Sequence, residues 1–194
     1  GRLHVAPVVT TFLTAFPEIT VRLKLNDGVV NLAEDGVDVA IRIGELPDSA
    51  LLAAKLGAIR TIACASPDYV AKHGAPQTPH ELAAHDCINF DALSASDEWV
   101  FASDKKRFAV KVRSRLSVNS AEAAIDAALA GVGITRVLSY QVAAQLSSGA
   151  LVEVLADFAS APAPVHIVHA GDRILPAKVR AFLAFARPRL QARL

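Results

Sequence analysis

The sequence has 194 residues, of which 53% are hydrophobic and 20% are charged, and its formal net charge is +1. Its 20 basic and 19 acidic residues nearly balance, unlike the strong basic excess of an autonomous nucleic-acid-binding protein. No apolar run reaches the roughly 18 residues of a membrane-spanning helix, so we expect a cytoplasmic protein with no membrane partner. Two cysteines favour a reducing compartment, and the lack of methionine indicates a fragment or a processed product.

The first part of the chain predicts a helix, a strand, a short helix and a second strand. Apolar residues recur at helical spacing over residues 3–16, and Pro17 ends that helix. Residues 19–25 alternate as a strand does, Asn26 and Asp27 can cap a short helix over 29–34, and residues 37–43 are strand-like again. This order predicts two parallel strands with a right-handed crossover.

The rest of the chain continues the alternation of strands and helices. Strands are predicted at 51–56, 59–65, 88–90, 99–101, 107–112, 115–118, 132–137, 151–155 and 165–169, with a hairpin turn at 103–106. Helices are predicted at 79–84, from a capping box at 119–122 to Gly131, at 139–146 and at 176–188. The pattern predicts an α/β protein with mainly parallel sheets.

Four stretches occur together in a specific order. They read GRLHVAPVVTTFLTAFPEI (1–19), NLAEDGVDVAIRIGELPDSALLAAKLG (31–57), CASPDYVAKHGAPQTPHELAAHDCINF (64–90) and LAGVGITRVLSYQVAAQLSSGALVEVL (129–155). With the closing ILPAKVRAFLAFARPRL (174–190), the chain resembles the effector-binding domain of LysR-type transcriptional regulators over nearly its whole length.

The resemblance implies a fold like that of type 2 periplasmic-binding proteins. Two Rossmann-like α/β subdomains, residues 1–64 plus 166–194 and residues 65–165, would be joined by two crossover strands around a ligand cleft. Gly1 aligns with the start of the first helix, so the first strand of subdomain I is missing, as is the family's winged helix-turn-helix domain.

The function that the resemblance implies is effector sensing by a transcription regulator. The domain would bind a small anionic or aromatic molecule and control DNA binding by the absent N-terminal domain. It would form an antiparallel homodimer, and the full-length protein a tetramer.

Two alternatives remain open at this stage. One is a periplasmic solute-binding receptor of a transporter, and the other is an enzyme on the same fold. The sequence contains no nucleophile–base pattern, P-loop, dinucleotide fingerprint or metal-ligand spacing, so we expect no enzymatic activity, catalytic residue, cofactor or metal.

Two predicted strand-to-helix turns are candidate effector contacts. Asn26 and Asp27 form one turn, and Asn119 and Ser120 form the other. The N-terminus of a helix offers unpaired N–H groups and a partial positive charge that suit an anion. Helix capping alone is the alternative reading of each turn. Thr135 lies where the family approaches its ligand, with plain strand packing as the alternative.

Arg42 poses a separate question, because it lies near the end of the strand at 37–43, two residues before Gly44. A buried guanidinium needs a partner. Asp38 is about 13 Å away along the strand at roughly 3.3 Å per residue, so Asp27 is the more plausible ion-pair partner. We leave open whether Arg42 makes a structural ion pair or contacts the ligand, with Gly44 leaving room for the chain to turn.

Overall fold

The computed structural model describes residues 1–25, 32, 34–46, 51–94, 96–104, 106–170 and 175–194. The α-helices are α1 (Val5–Ala15), α2 (Pro67–His73), α3 (Ala121–Leu129), α4 (Ala143–Ser147) and α5 (Ala177–Gln191). Short 3₁₀ helices occupy Pro79–Ala84, Ser139–Gln141 and Ala156–Phe158. The strands are β1 (Val39–Ile43), β2 (Leu51–Ile59), β3 (Thr61–Ala65), β4 (Asp86–Phe90), β5 (Glu98–Ser103), β6 (Lys106–Lys111), β7 (Arg113–Val118), β8 (Ile134–Leu138), β9 (Val152–Val154) and β10 (Ala163–Ala170).

The chain divides into two compact units. Unit 1 comprises Gly1–Ile59 and Ala163–Leu194, and unit 2 comprises Arg60–Pro162. Within the described ranges, no helix combines the length and the apolar character that crossing a membrane requires.

Unit 1 is built on a sheet with the strand order β1-β10-β2, in which both pairings are antiparallel. Helices α1 and α5 pack together through aromatic rings. The ring of Phe12 is buried, and its centroid lies 5.1 Å from that of Phe182 and 5.4 Å from that of Phe185. Edge-on arrangements of this kind stabilise aromatic pairs beyond their area burial, so this cluster anchors the two helices to each other.

Helix α1 also carries three threonines on its exposed surface. Each hydroxyl donates a hydrogen bond to a backbone carbonyl one turn earlier, a pattern common for threonine inside helices. The pairs are Thr10 with Ala6, Thr11 with Pro7, and Thr14 with Thr10, at 3.0, 2.9 and 3.2 Å.

The predicted strand at 19–25 is wrong, because these residues form no strand in the structure. Among the described residues, β1 pairs with β10 alone, so the expected parallel pair with a right-handed crossover is also absent. An alternating pattern specifies which side chains share a face, but a strand also needs a neighbour for its backbone groups. The short helix predicted at 29–34 lies largely outside the described residues.

Unit 2 contains a five-stranded sheet with the order β7-β4-β8-β3-β9 and a separate hairpin of β5 and β6. A hydrophobic cluster on one side joins Ile134 of β8 to Trp99 of the hairpin. A second cluster joins Ile88 of β4 to Ala124 of α3. The hairpin turn was predicted correctly: Ser103 pairs with Lys106, and the positive φ of Asp104 suits a two-residue turn.

The prediction of mainly parallel sheets is wrong. Only β4 has parallel neighbours, namely β7 and β8, among the described strands. β3 is antiparallel to β8 and β9, and the described strands of the unit 1 sheet pair antiparallel. The parallel rule applies where a helix connects two strands of one sheet, as α3 does between β7 and β8, which lie on either side of β4. β10 instead returns from far along the sequence, so the rule does not constrain its direction.

Three helical predictions need correction. Helix α2 was missed, although Ser66 accepts a hydrogen bond from the backbone N–H of Tyr69 and Pro67 occupies the first turn. The helix at 79–84 is a 3₁₀ helix. The helix predicted at 139–146 is split into a 3₁₀ turn and α4, with Val142 between them.

Candidate functional site

The predicted turn at Asn26 and Asp27 lies outside the described residues. In unit 1 the structure therefore places two of the predicted site residues, Arg42 and Gly44. Their roles as ligand contacts stay predictions.

Arg42 lies on β1, half-buried, directly opposite His166 on β10. Its proposed ion-pair partner, Asp27, is outside the described residues. Asp38, which strand geometry excludes as a partner, instead forms an exposed ion pair of 3.3 Å with Lys178 of α5. An exposed ion pair of this kind contributes little to stability.

Gly44 ends β1 with a positive φ of 109°, and its N–H donates a 2.8 Å hydrogen bond to the carbonyl of Pro164. A Cβ built at this position would meet no atom of the described residues within 4 Å. The reason for glycine is therefore the backbone conformation, which L-residues rarely adopt, and not the lack of space that we expected.

In unit 2, the turn between β7 and α3 contains Asn119 and Ser120. Ser120 is the N-cap: its hydroxyl oxygen accepts a 3.4 Å hydrogen bond from the N–H of Ala123 and donates to Glu122 at 3.1 Å. The helix thus begins one residue later than predicted, and no capping box forms, because Ala123 at the third helical position has no polar side chain. Asn119 is exposed at the carboxyl end of β7 and precedes the N-cap residue.

Thr135 is fully buried on β8, and its hydroxyl donates a 3.1 Å hydrogen bond to the carbonyl of Ile88 on the parallel strand β4. This geometry favours the packing alternative, because the hydroxyl already donates its hydrogen bond to a backbone carbonyl within the sheet. Contact between Thr135 and an effector stays a prediction.

The prediction missed a buried cation, Arg136, which is only 8% exposed. Its Nη1 donates a 2.9 Å hydrogen bond to the carbonyl of Val100, and its guanidinium carbon lies 5.5 Å from the ring of Trp99 and 5.9 Å from that of Phe101. Burial lowers the pKa of the guanidinium to about 10, and the positive charge of Arg107 acts in the same direction. Nε is buried without a hydrogen-bond partner among the described residues. An arginine inside the short strand-like run ITRVL, which is mostly β-branched, was the available signal.

A small polar network holds Trp99 against this arginine. The indole N–H donates a 3.1 Å hydrogen bond to the side-chain oxygen of Asn89, whose amide donates to the carbonyl of Ser94 at 2.8 Å and to Asp91 at 3.3 Å. Asn89 and Trp99 are both buried. Because buried polar groups need partners, this network fixes the orientation of the indole ring.

The cysteines and His85 are among the other side chains of unit 2 that could take part in a reaction or bind a metal. Cys64 and Cys87 are free and buried, and burial raises the pKa of each thiol to about 12, so neither forms the reactive thiolate near neutral pH. His85 follows the 3₁₀ helix and is buried, with Nδ1 3.2 Å from the hydroxyl of Tyr69. The described residues contain no group of three side chains suited to a metal ion.

Comparison with protein families decides what kind of domain this is. A family model described as the LysR substrate binding domain matches residues 1–191. The chain belongs to the LysR family. The transcriptional regulator CrgA of Neisseria meningitidis serogroup C is 35% identical to this LysR domain over 94% of the chain and 62% of CrgA. The transcriptional activator TtdR of Escherichia coli K12 is 36% identical over 82% of the chain and 52% of TtdR.

Solved structures confirm the predicted fold. The regulatory domain of the LysR-type regulator CrgA matches with a TM-score of 0.80 and 33% identity, over 96% of this chain and 91% of that one. The regulatory domain of AphB from Vibrio vulnificus matches with a TM-score of 0.82 and 27% identity, over 93% and 89%. The LysR domain therefore has the type 2 periplasmic-binding-protein-like fold, and these comparisons lend no support to a periplasmic receptor.

Proposed function

We propose that this LysR domain senses a small effector and controls DNA binding by a domain elsewhere in a longer regulator. The supporting observation is the family match over residues 1–191. The chain spans 62% of the length of CrgA, a relative named as an HTH-type transcriptional regulator. On this proposal the regulator acts in the cytoplasm, where its DNA target lies, and binds its effector non-covalently without catalysis.

Units 1 and 2 are proposed to serve as the family's two effector-binding subdomains, and each carries candidate contacts of its own. In unit 2 the candidate is Asn119, which is exposed at the carboxyl end of β7, next to the N-terminus of α3. In open α/β sheets, ligands bind beyond the carboxyl ends of strands, and a helix N-terminus favours an anionic group. An effector acts only if it binds two states of the regulator with different affinity.

A thermal-unfolding screen of anionic and aromatic metabolites tests this proposal. A ligand at about 100 times its dissociation constant adds about 2.7 kcal/mol to the free energy of unfolding, which is readily measured. We expect one class of metabolite to stabilise the chain and Asn119→Ala to weaken that effect. The substitution itself should change stability by less than about 0.5 kcal/mol, because the side chain is exposed.

Lys111→Ala, at an exposed position on β6, is the matched control and should respond to the metabolite like the wild type. A screen in which no metabolite stabilises the chain would count against effector sensing. Equal weakening by both substitutions would remove Asn119 from the site.

We further propose that the domain forms an antiparallel homodimer, and the full-length regulator a tetramer, through α1 of one chain and α3 of the other. Helix α3 buries one stripe of alanines and leaves Leu129 37% exposed at its end. Helix α1 exposes the threonine-bearing side opposite its buried residues. Helices with small or apolar residues on a second stripe are suited to a second partner.

Leu129→Glu should weaken the dimer by tenfold or more, about 1.4 kcal/mol, because it buries an unpaired carboxylate at the interface. Leu116→Glu is a matched control, since Leu116 is also 37% exposed but lies on β7. Sedimentation velocity over a range of concentrations measures both. The proposed interface is wrong if the wild type is a monomer at tens of micromolar or if both variants dimerise like the wild type.

A further inference from the structure

One face of the unit 1 sheet carries three basic side chains side by side. Arg42 of β1 lies directly opposite His166 of β10, and His166 lies directly opposite Lys55 of β2. Directly opposite residues on antiparallel strands project from the same face. At about 4.8 Å between strands, these three residues, which we call the basic row, span about 10 Å across the sheet.

A β-bulge creates this row. The pairing of β10 with β2 shifts between Val165, which lies opposite Gly57, and His166, which lies opposite Lys55. In an unbroken ladder His166 would face Leu56, and Lys55 would fall on the other face of the sheet. The extra residue, Leu56, is buried instead. Bulges commonly re-aim a side chain at a functional site, and this one brings a lysine into line with a histidine.

The C-terminal end of the chain holds the bulge in place. The amide of Gln191 in α5 donates a 3.4 Å hydrogen bond to the carbonyl of Lys55. A Cβ at Gly57 would lie 2.9 Å from the side chain of Leu194, so the chain end packs closely against this point. The register that defines the basic row is thus supported from outside the strands.

The described part of the chain leaves one polar group of this row unsatisfied. Nδ1 of His166 is buried with no hydrogen-bond partner among the described residues, which is unfavourable for a polar atom. Neither His166 nor Lys55 forms an ion pair with a described carboxylate. Lys55 is exposed, so the row opens to solvent at that end.

We propose that the basic row binds a compact organic dianion, with one anionic group near Arg42, the other near Lys55 and His166 between them. A dicarboxylate has this chemistry: its two groups match two cations held on strands about 10 Å apart, and its oxygens accept hydrogen bonds from both. The inference rests on the proposed function and specifies its ligand class. It adds His166 and Lys55 to the predicted contacts Arg42 and Gly44.

Isothermal titration of the 194-residue chain at fixed ionic strength tests the proposal, with succinate as the dianion, acetate as the monoanion and inorganic phosphate as a third probe. We expect saturable binding of succinate that is at least about tenfold tighter than that of acetate, because a second charge-assisted contact is added. Lys55→Gln should weaken succinate binding about tenfold without lowering the melting temperature, since Lys55 is exposed. Lys111→Gln on β6 is the control and should bind like the wild type.

Several outcomes overturn the inference: no saturable binding of succinate, equal affinity for acetate, or unchanged binding by Lys55→Gln. Equal weakening by Lys111→Gln would indicate non-specific attraction and would also overturn it. If phosphate binds more tightly than succinate, the proposed dicarboxylate is wrong and the ligand is a phosphorylated compound. If a metabolite found in the thermal screen binds the Lys55→Gln variant as tightly as the wild type, the basic row is not its binding site. The proposal of effector sensing would still stand.

Discussion

Gly133→Ala is expected to lower the free energy of unfolding by about 3 kcal/mol or more, at the upper end of what overpacking costs. A Cβ at this position would overlap the carbonyl oxygen of Asp86 and lie 2.8 Å from its carbonyl carbon. Both are backbone atoms at the start of β4, so no side chain can rotate away. Relief requires β4 and β8 to separate at the point where Cys87 pairs with Ile134. Urea unfolding measures the loss.

Gly149→Ala is the control for this prediction. Its Cβ would meet nothing within 4 Å, but its φ of 74° is left-handed, which costs an alanine about 1–2 kcal/mol. The two variants therefore separate a steric cost from a conformational one. A Gly133→Ala protein no less stable than Gly149→Ala would show that the two strands are not held as closely as described.

Arg136→Met is expected to leave the stability of unit 2 unchanged or to raise it by about 1–4 kcal/mol, as replacement of buried charges by apolar side chains often does. A methionine side chain can occupy the same buried space as the arginine, and its burial carries no cost of desolvating a charge. The substitution removes the hydrogen bond to Val100 and the contacts with Trp99 and Phe101. The stability that these interactions contribute is smaller than the cost of burying a cation that pairs with no described carboxylate. Urea unfolding monitored by the fluorescence of Trp99, the single tryptophan, reports on this region.

The pH dependence of the free energy of unfolding provides a second test of the Arg136→Met variant. The pKa of Arg136 is lowered to about 10, so above that pH the unfolded state holds more protons at this site than the folded state. The stability contributed by this group therefore rises with pH, and the advantage of Arg136→Met should shrink above about pH 10. Arg136→Ala, which leaves a cavity, should be less stable than Arg136→Met by about 2 kcal/mol or more. A Met variant that loses more than about 2 kcal/mol would show that the arginine stabilises the fold.

Local patterns predicted most elements of unit 2. Residues 115–118 lie within β7, residues 88–90 lie within β4, and the turn at 103–106 joins the two strands of the hairpin. These features depend on neighbours in sequence: side-chain alternation and turn chemistry. The resemblance to LysR regulators supplied the fold, which periodicity alone could not.

Features that depend on distant pairing were not predictable in the same way. Residues 19–25 alternate correctly yet have no ladder, and β10 runs antiparallel to β1 although more than 100 residues separate them. The basic row has the same origin, since a one-residue shift at Val165 decides which face Lys55 joins. Arg136 was overlooked because the sequence does not show that the hairpin covers that face of β8.

The threonines of α1 have a consequence for how that helix meets another surface. A hydroxyl that donates to its own backbone has no hydrogen left to offer a neighbour, so Thr10, Thr11 and Thr14 present methyl groups and acceptor oxygens outward. The exposed side of α1 is thus less costly to desolvate than its three hydroxyl groups suggest. Its burial against another surface would leave no threonine O–H donor without a partner. Valine, which has the same shape, would make a similar surface at each position, whereas serine would keep the hydrogen bond and lose the methyl group.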